Sequence, residues 1–600
     1  MFIFKAKGLR KDWNGQTLFG NVDIELKKGE HIALFGRNGV GKTTLLNGLM
    51  GKFSFDTGHI QRFIQVEKWG LLEQDPLINA ETTTFEFVQS GAKTRMQLKQ
   101  KLELLQEQVS NESSKLLDEY NAVYAEFLEV DGFNLESEAE KCLHEVNLDD
   151  RTWQTAFDQL SGGEKTRAQL AQILMQQPEC IVMDEPTNHL DQQTVEWLEQ
   201  WMKSYSGSIL YVSHDRYFID KTAHALYELT GNSSERFVGG YSAYQKQKDL
   251  ERKTQESLYQ KQKQKRAALE QTIRNYQQWF QQAHTAAGQD DFARAKAKKN
   301  VSRFKAKEKE LERLEKEQTD RPRDNKSLNL KLESSEFTAK RLVNLEKFSF
   351  AYQAGDPLFA NKTISIYRGD KLAIIGENGS GKTTLLKLIT GNLIPDEGKI
   401  RLNPQTKIGY FAQELDNLDN DKTLLDSMLK LPDMTQTEAR TILGCFLFSQ
   451  DDVFKKIKDL SMGEKCRVAF LNLYYSSANL LVLDEPTNFL DVATKEVIEE
   501  VLQGYPGALI VVSHDRFFVQ KVANRIIQLG KKQWVDYQGS YENFIEDTTK
   551  ERYESDTEIQ ELKMRLTQLM VMEDVENESD QIKILDEIRA LKKQLTELTR

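Results

Sequence analysis

One nine-residue pattern occurs twice in this chain, and it leaves few folds open. GRNGVGKTT spans Gly36 to Thr44, and GENGSGKTT spans Gly376 to Thr384. Each follows an apolar run, HIALF or KLAII, and precedes a second one, LLNGL or LLKLI. A strand, a glycine loop and a helix in that order wrap backbone N–H groups around phosphate, and the helix N-terminus adds partial positive charge. The positions Gly36, Arg37, Asn38, Gly39, Val40, Gly41 and Thr44 form the first cradle. Gly376, Glu377, Asn378, Gly379, Ser380, Gly381 and Thr384 form the second. Lys42 and Lys382 are expected to reach the β- and γ-phosphates, and Thr43 and Thr383 to hold Mg²⁺. One match arises by chance in a few per cent of cases; two, each between strand and helix, point to a nucleotide-binding α/β fold built twice.

Three more motifs repeat. LSGGEK from Leu160 returns as LSMGEK from Leu460, MDEPTNHLD from Met183 as LDEPTNFLD from Leu483, and VSHDRYF from Val212 as VSHDRFF from Val512. The glycine loops lie 340 positions apart and the other motifs 300. The first copy therefore carries about 40 additional residues, around Gln97 to Phe133, with the Leu/Gln/Glu/Lys content and spacing of an inserted helical arm.

CIVMDEP and LLVLDEP each place two carboxylates at the end of an apolar strand. Strands buried on both faces deliver such groups at their C-terminal ends, where α/β sheets bind ligands. Asp184 and Asp484 are expected to bind Mg²⁺, and Glu185 and Glu485 to polarise the attacking water as general bases. His214 and His514 end further apolar strands. A lone strand-end His is usually structural, but repetition favours a γ-phosphate contact. Gln74 and Gln413 could add a metal or water ligand. Trp13 and Tyr352 precede the loops by similar distances and either stack on a base or belong to the core. Ser161 with Gly163, and Ser461 with Gly463, open helices; Ser followed by Glu three residues later is also a capping box, and both readings can hold.

Between the copies, residues 245–323 hold a single Gly, Gly288, and no Pro before Pro322. Apolar residues recur at helical spacing through Leu269, Ile273, Tyr276 and Phe280, then Val301, Phe304, Leu311 and Leu314, so a helical hairpin turning near His284 to Asp291 is expected. The chain's net charge of −11 argues against a polyanionic partner until it is mapped. This stretch carries 21 basic and 12 acidic residues, leaving about −20 for the remainder. Phe292 to Lys307 holds seven basic residues and no acidic one. An acidic body with a basic arm aims one element at a polyanion. Near the C-terminus, Ile559, Leu562, Leu566 and Leu569, then Ile584, Ile588, Leu591, Leu595 and Leu598, are spaced as in a short antiparallel coiled coil. Cys142, Cys180, Cys445 and Cys466 form no CxxC pair and read as reduced thiols. No long apolar run and no signal-peptide shape are present, so neither a membrane span nor export is expected.

Taken together, the motifs resemble the ATP-binding cassette superfamily. Tandem cassettes with DEPTNHLD-type motifs and a charged helical linker are similar to its ABC-F subfamily, whose members act on ribosomes. The resemblance implies two P-loop cassettes, at 1–244 with an arm at about 90–135 and at 326–548, a linker at 245–325, and a coiled-coil extension at 549–600. It implies an ATPase using ATP and Mg²⁺, with the two cassettes dimerising within one chain. Each glycine loop would face the opposite Ser161–Gly163 or Ser461–Gly463 segment, with Asp191 and Asp491 between them. Met462 replaces the usual Gly in the second of these. The linker would reach rRNA and P-site tRNA near the peptidyl-transferase centre, with Tyr276, Trp279, Phe280 and Phe292 near its tip. The expectation is a cytoplasmic, ribosome-associated protein with no membrane partner, of the type that protects ribosomes from antibiotics. The alternatives are a housekeeping translation factor, an exporter's ATPase subunit or a DNA-associated ATPase.

Overall fold

The computed structural model describes residues 1–13, 15–73, 82–109, 114–188, 190–286, 305–314, 340–352, 357–411, 418–431, 434–448, 451–476, 478–488, 490–530, 534–548, 562–567, 588 and 591. Two compact units divide it, 1–330 with 491–493, and 331–490 with 494–600.

In the first unit a six-stranded sheet runs in the spatial order Trp69–Leu72, Cys180–Asp184, Ser208–Val212, His31–Gly36, Ala225–Leu229, Ser234–Val238. The first five strands are parallel and the last is antiparallel. The central strands are largely apolar because both faces of the sheet are buried. Register then fixes the site. Leu34 and Asp184 both pair with Val212, so three adjacent strands end level, and the loops leaving them project from the same edge. An antiparallel sheet of Gln16–Lys27, Phe2–Trp13 and Thr57–Arg62 packs through Phe4, Leu9, Phe19 and Val22 onto Leu45, Leu46 and Leu34.

The second unit repeats this plan. Its main sheet runs Ile408–Phe411, Leu480–Asp484, Ala508–Val512, Lys371–Gly376, Arg525–Leu529, Trp534–Gln538. Ile374 and Asp484 both pair with Val512, the same register as in the first.

The inserted segment folds as two helices, Lys93–Val109 and Ser114–Glu129, joined through Leu102, Leu105, Val123 and Phe127. The linker differs from its sequence-based outline. Its helix starts at Tyr241, inside the first cassette, and runs 46 residues to Ala286, through the expected break at His284. Tyr241 is buried and Ser242 bonds to Asp220, so the helix grows out of the cassette core. At 1.5 Å per residue it spans about 70 Å. Lys265 pairs with Glu310 at 3.4 Å, tying this helix to the 305–314 helix as a hairpin requires. The remaining tip residues, 287–304, lie outside the described residues, as does most of the C-terminal extension. There, Ile588 and Leu591 bury against Leu562 and Leu566. All four cysteines are free thiols. No helix among the described residues is long and apolar enough to cross a membrane.

One strand end differs between the copies in a titratable way. In the first, the His31 backbone N–H donates to His224 Nδ1 at 3.0 Å, and the two rings pack 4.8 Å apart. In the second, the Lys371 N–H donates to Asn524 Oδ1 at 2.8 Å. Burial first, then His224, holds the His31 imidazole below its usual pKa. A cationic group with a depressed folded pKa binds fewer protons folded than unfolded, so stability rises with pH in that window. The first cassette should therefore lose stability as pH falls below about 6.5, the unfolded value. Thermal melts between pH 7.5 and 5.5 test this, and His31→Asn should flatten the profile. An equally steep loss in that variant would refute it.

Candidate active site

The sequence places a glycine loop, an acidic pair and a histidine on separate strands; register brings them together. Lys42 opens the helix Lys42–Leu49, whose N-cap Gly41 has φ 96°. Lys382 and Gly381, with φ 94°, repeat this. A Cβ at Gly41 would lie 2.8 Å from Leu18 and Phe19, so the loop sits tight on the antiparallel sheet. Lys42 Nζ donates to the carbonyls of Gly36 at 2.9 Å and Arg37 at 3.1 Å; Lys382 Nζ donates to Gly376 at 2.8 Å and Glu377 at 3.0 Å. Each ammonium is thus stretched back along its loop. Burial lowers the Lys42 pKa, and Glu185 opposes that.

Asp184 and Asp484 end their strands beside the helix starts. Thr383 Oγ1 donates to Asp484 Oδ2 at 3.0 Å, and the Thr43 hydroxyl bonds to Asp184. Burial raises both carboxyl pKa values; the Thr hydrogen bonds and the lysines work against it. A hydroxyl beside one carboxylate is a hard-oxygen donor pair. It fits Mg²⁺, which keeps waters and takes one or two protein ligands plus substrate phosphate. No cluster of three or more His, Cys, Asp or Glu able to cage a metal exists among the described residues. Gln74 and Gln413 lie outside them.

Glu185 and Glu485 depart from the strand with φ 50° and 48°, in the left-handed region. Such strain costs on the order of 1–3 kcal/mol and persists only where the surroundings enforce it. Here the Glu N–H groups remain bonded to Val212 O and Val512 O at 3.0 and 2.9 Å. The kink turns the carboxylates toward the neighbouring strand's end. His214 N–H donates to Glu185 Oε2 at 3.2 Å, and the ring Nε2 lies 3.4 Å from Oε1. In the second copy these distances are 3.4 and 3.6 Å. Glu485 Oε1 is buried and accepts no hydrogen bond among the described residues. Burial pushes the Glu485 carboxyl well above the usual carboxylate range, with Lys382 opposing. A strained, buried carboxylate held by a backbone N–H and an imidazole is suited to accept a proton.

Ser161 and Ser461 cap the helices Gly162–Leu174 and Met462–Tyr474 in full capping boxes with Glu164 and Glu464. Trp13 and Tyr352 are 60% and 66% exposed, so neither is core; Tyr352 Oη sits 2.9 Å from Thr384 Oγ1. Two further pairs escape a reading by motif. Thr187 and Thr487 meet Ser213 and Ser513 at 3.3 and 3.2 Å, joining the loop after each Glu to the residue before each His. Their identical recurrence in both copies is the signal the sequence offers for them.

A family model described as ABC transporter matches residues 19–188 and 359–488. The chain is 32% identical to ABC transporter F family member 5 of Arabidopsis thaliana over 570 residues, covering 93% of this chain and 80% of the relative. It is 31% identical to the ribosome protection protein VmlR of Bacillus subtilis (strain 168), covering 85% and 83%. A solved structure titled RNase-L Inhibitor matches with a TM-score of 0.53 at 17% identity, covering 89% of this chain and 91% of that one, a likeness of fold.

Proposed function

The chain belongs to the F subfamily of ATP-binding cassette proteins and is an ATPase, and from that premise we propose that it couples ATP turnover to binding and leaving the ribosome. What supports the reading is a glycine loop, an acidic pair and a histidine brought together in each cassette, with a linker whose sequence is basic, in a chain similar to a ribosome protection protein.

In this reading each glycine loop holds a triphosphate, with Lys42 or Lys382 turning from the loop carbonyls to the β/γ-phosphates. Thr43 with Asp184, and Thr383 with Asp484, hold Mg²⁺, which neutralises phosphate charge when bound. Glu185 and Glu485 orient water and take its proton. His214 and His514 keep those carboxylates aimed. Trp13 and Tyr352 stack on the base. The Ser161–Gly163 and Ser461–Gly463 helix starts complete the opposite copy's site. The nucleotide-bound form docks in the cytoplasm, its linker contacting rRNA or P-site tRNA, and hydrolysis releases it. Protection from drugs acting near the peptidyl-transferase centre is the biological outcome that the VmlR likeness supports. Drug susceptibility of cells with and without the chain tests that outcome against a housekeeping role.

Reversing Lys296, Lys298 and Lys299 to Glu should cut ribosome co-sedimentation at least tenfold in the ATP-trapped form. The slope of log affinity against log salt should become shallower by about 2 to 3. An unchanged slope would exclude phosphate contacts by this segment and reopen the DNA-associated alternative, which ATPase stimulation by DNA rather than ribosomes would favour.

A further inference from the structure

The two copies differ in one buried charge beside the hydrolytic centre. Lys495 lies on the helix Val492–Gln503, and its Nζ sits 3.0 Å from Asp515 Oδ2, both side chains under 10% exposed. Asp515 immediately follows His514 and N-caps the helix Arg516–Val522, accepting from Phe518 N–H at 3.0 Å. In the first cassette the corresponding residues are Val195 and Asp215. Asp215 caps its helix in the same way, accepting from Tyr217 and Phe218, but a valine stands where the ammonium would be. The difference is local. The Glu499–Lys521 pair joining the same two helices at 3.1 Å has the same residue types in the first copy, Glu199 and Lys221.

Three consecutive residues at the end of strand Ala508–Val512 are therefore each anchored in the second cassette. Ser513 is tied to Thr487, His514 to Glu485, and Asp515 to Lys495. We infer that Lys495 is a positioning residue for hydrolysis in the second cassette, clamping Asp515 so that His514 holds Glu485 in place and making the two centres chemically unequal. The inference rests on Glu485 being the base.

A loss in kcat without a matching change in KM, with rescue by arginine, is a readout that simple loosening would not give.

The test uses the full chain carrying Glu185→Gln, so that the second centre is read alone; if that background is silent, the parent chain serves as reference. Lys495→Met should lower kcat about tenfold with KM for ATP within about twofold, and Lys495→Arg should restore kcat. Lys495→Met with Asp515→Asn, which removes both buried charges, should keep the lowered kcat and serves if the single variant does not fold. Parental kcat in Lys495→Met, or failure of Lys495→Arg to restore it, would overturn the inference. Glu485→Gln separates the two levels. If it retains parental turnover, the base assignment fails; if it is inactive while Lys495→Met is normal, only the role of Lys495 falls.

Discussion

Replacing both Glu185 and Glu485 by Gln should leave ATP bound and lower turnover about 10²- to 10⁴-fold, the range that a positioned general base contributes. Gln keeps the volume of Glu and retains an oxygen to accept the His214 or His514 N–H, at 3.2 and 3.4 Å in the parent. The strained backbone at φ 50° and 48° is set by the strand and its turn, so it should persist. What disappears is the lone pair that takes a proton from water. Phosphate release measured beside retained nucleotide separates chemistry from binding. The doubly substituted chain should also accumulate on ribosomes, because release is tied to hydrolysis in the proposed cycle. Turnover within threefold of the parent would remove both glutamates from the mechanism.

Gly36→Ala should destabilise the first cassette by about 3 kcal/mol and abolish nucleotide binding there, whereas Gly39→Ala, three residues on, should cost only about 1 kcal/mol. Both glycines have positive φ, 157° and 78°. The difference is space. A Cβ at Gly36 would lie 2.5 Å from the carbonyl oxygen of Leu229, on the strand paired with it, and backbone cannot move aside as a side chain can. At Gly39 no described residue would lie within 4 Å of such a Cβ. Gly376 repeats the clash at 2.3 Å from Leu529 O, so Gly376→Ala should injure the second cassette in the same way. Denaturation midpoints and nucleotide affinity of the paired variants decide it. Equal losses at Gly36 and Gly39 would mean that φ strain, not backbone contact, dominates.

Much of the site is legible in the sequence because its chemistry is local. A glycine loop must follow a strand and open a helix, and Lys42, Thr43, Lys382 and Thr383 sit where that geometry needs them. The acids at Asp184, Glu185, Asp484 and Glu485 end apolar runs, so their strand-end positions follow from burial alone. Trp13 and Tyr352 cannot be assigned from spacing, since an aromatic there serves a core as readily as a ligand; their exposure excludes the core. The linker helix starts four residues before the sequence-based boundary. Tyr241 is buried in the cassette core and Ser242 bonds to Asp220, and these contacts make them the first turn of the helix. Propensity does not contain that tertiary contact.

By itself, then, the sequence determined that this chain holds two phosphate cradles, two carboxylate-ended strands and a basic helical arm. Those properties depend on residue type at fixed spacing along one strand or helix. Only the tertiary structure decided which carboxylate meets which histidine, that both glutamates are kinked into the left-handed region, and that Lys495 meets Asp515. Such contacts cross between strands and helices far apart in the chain, and it is sheet register and burial that set them.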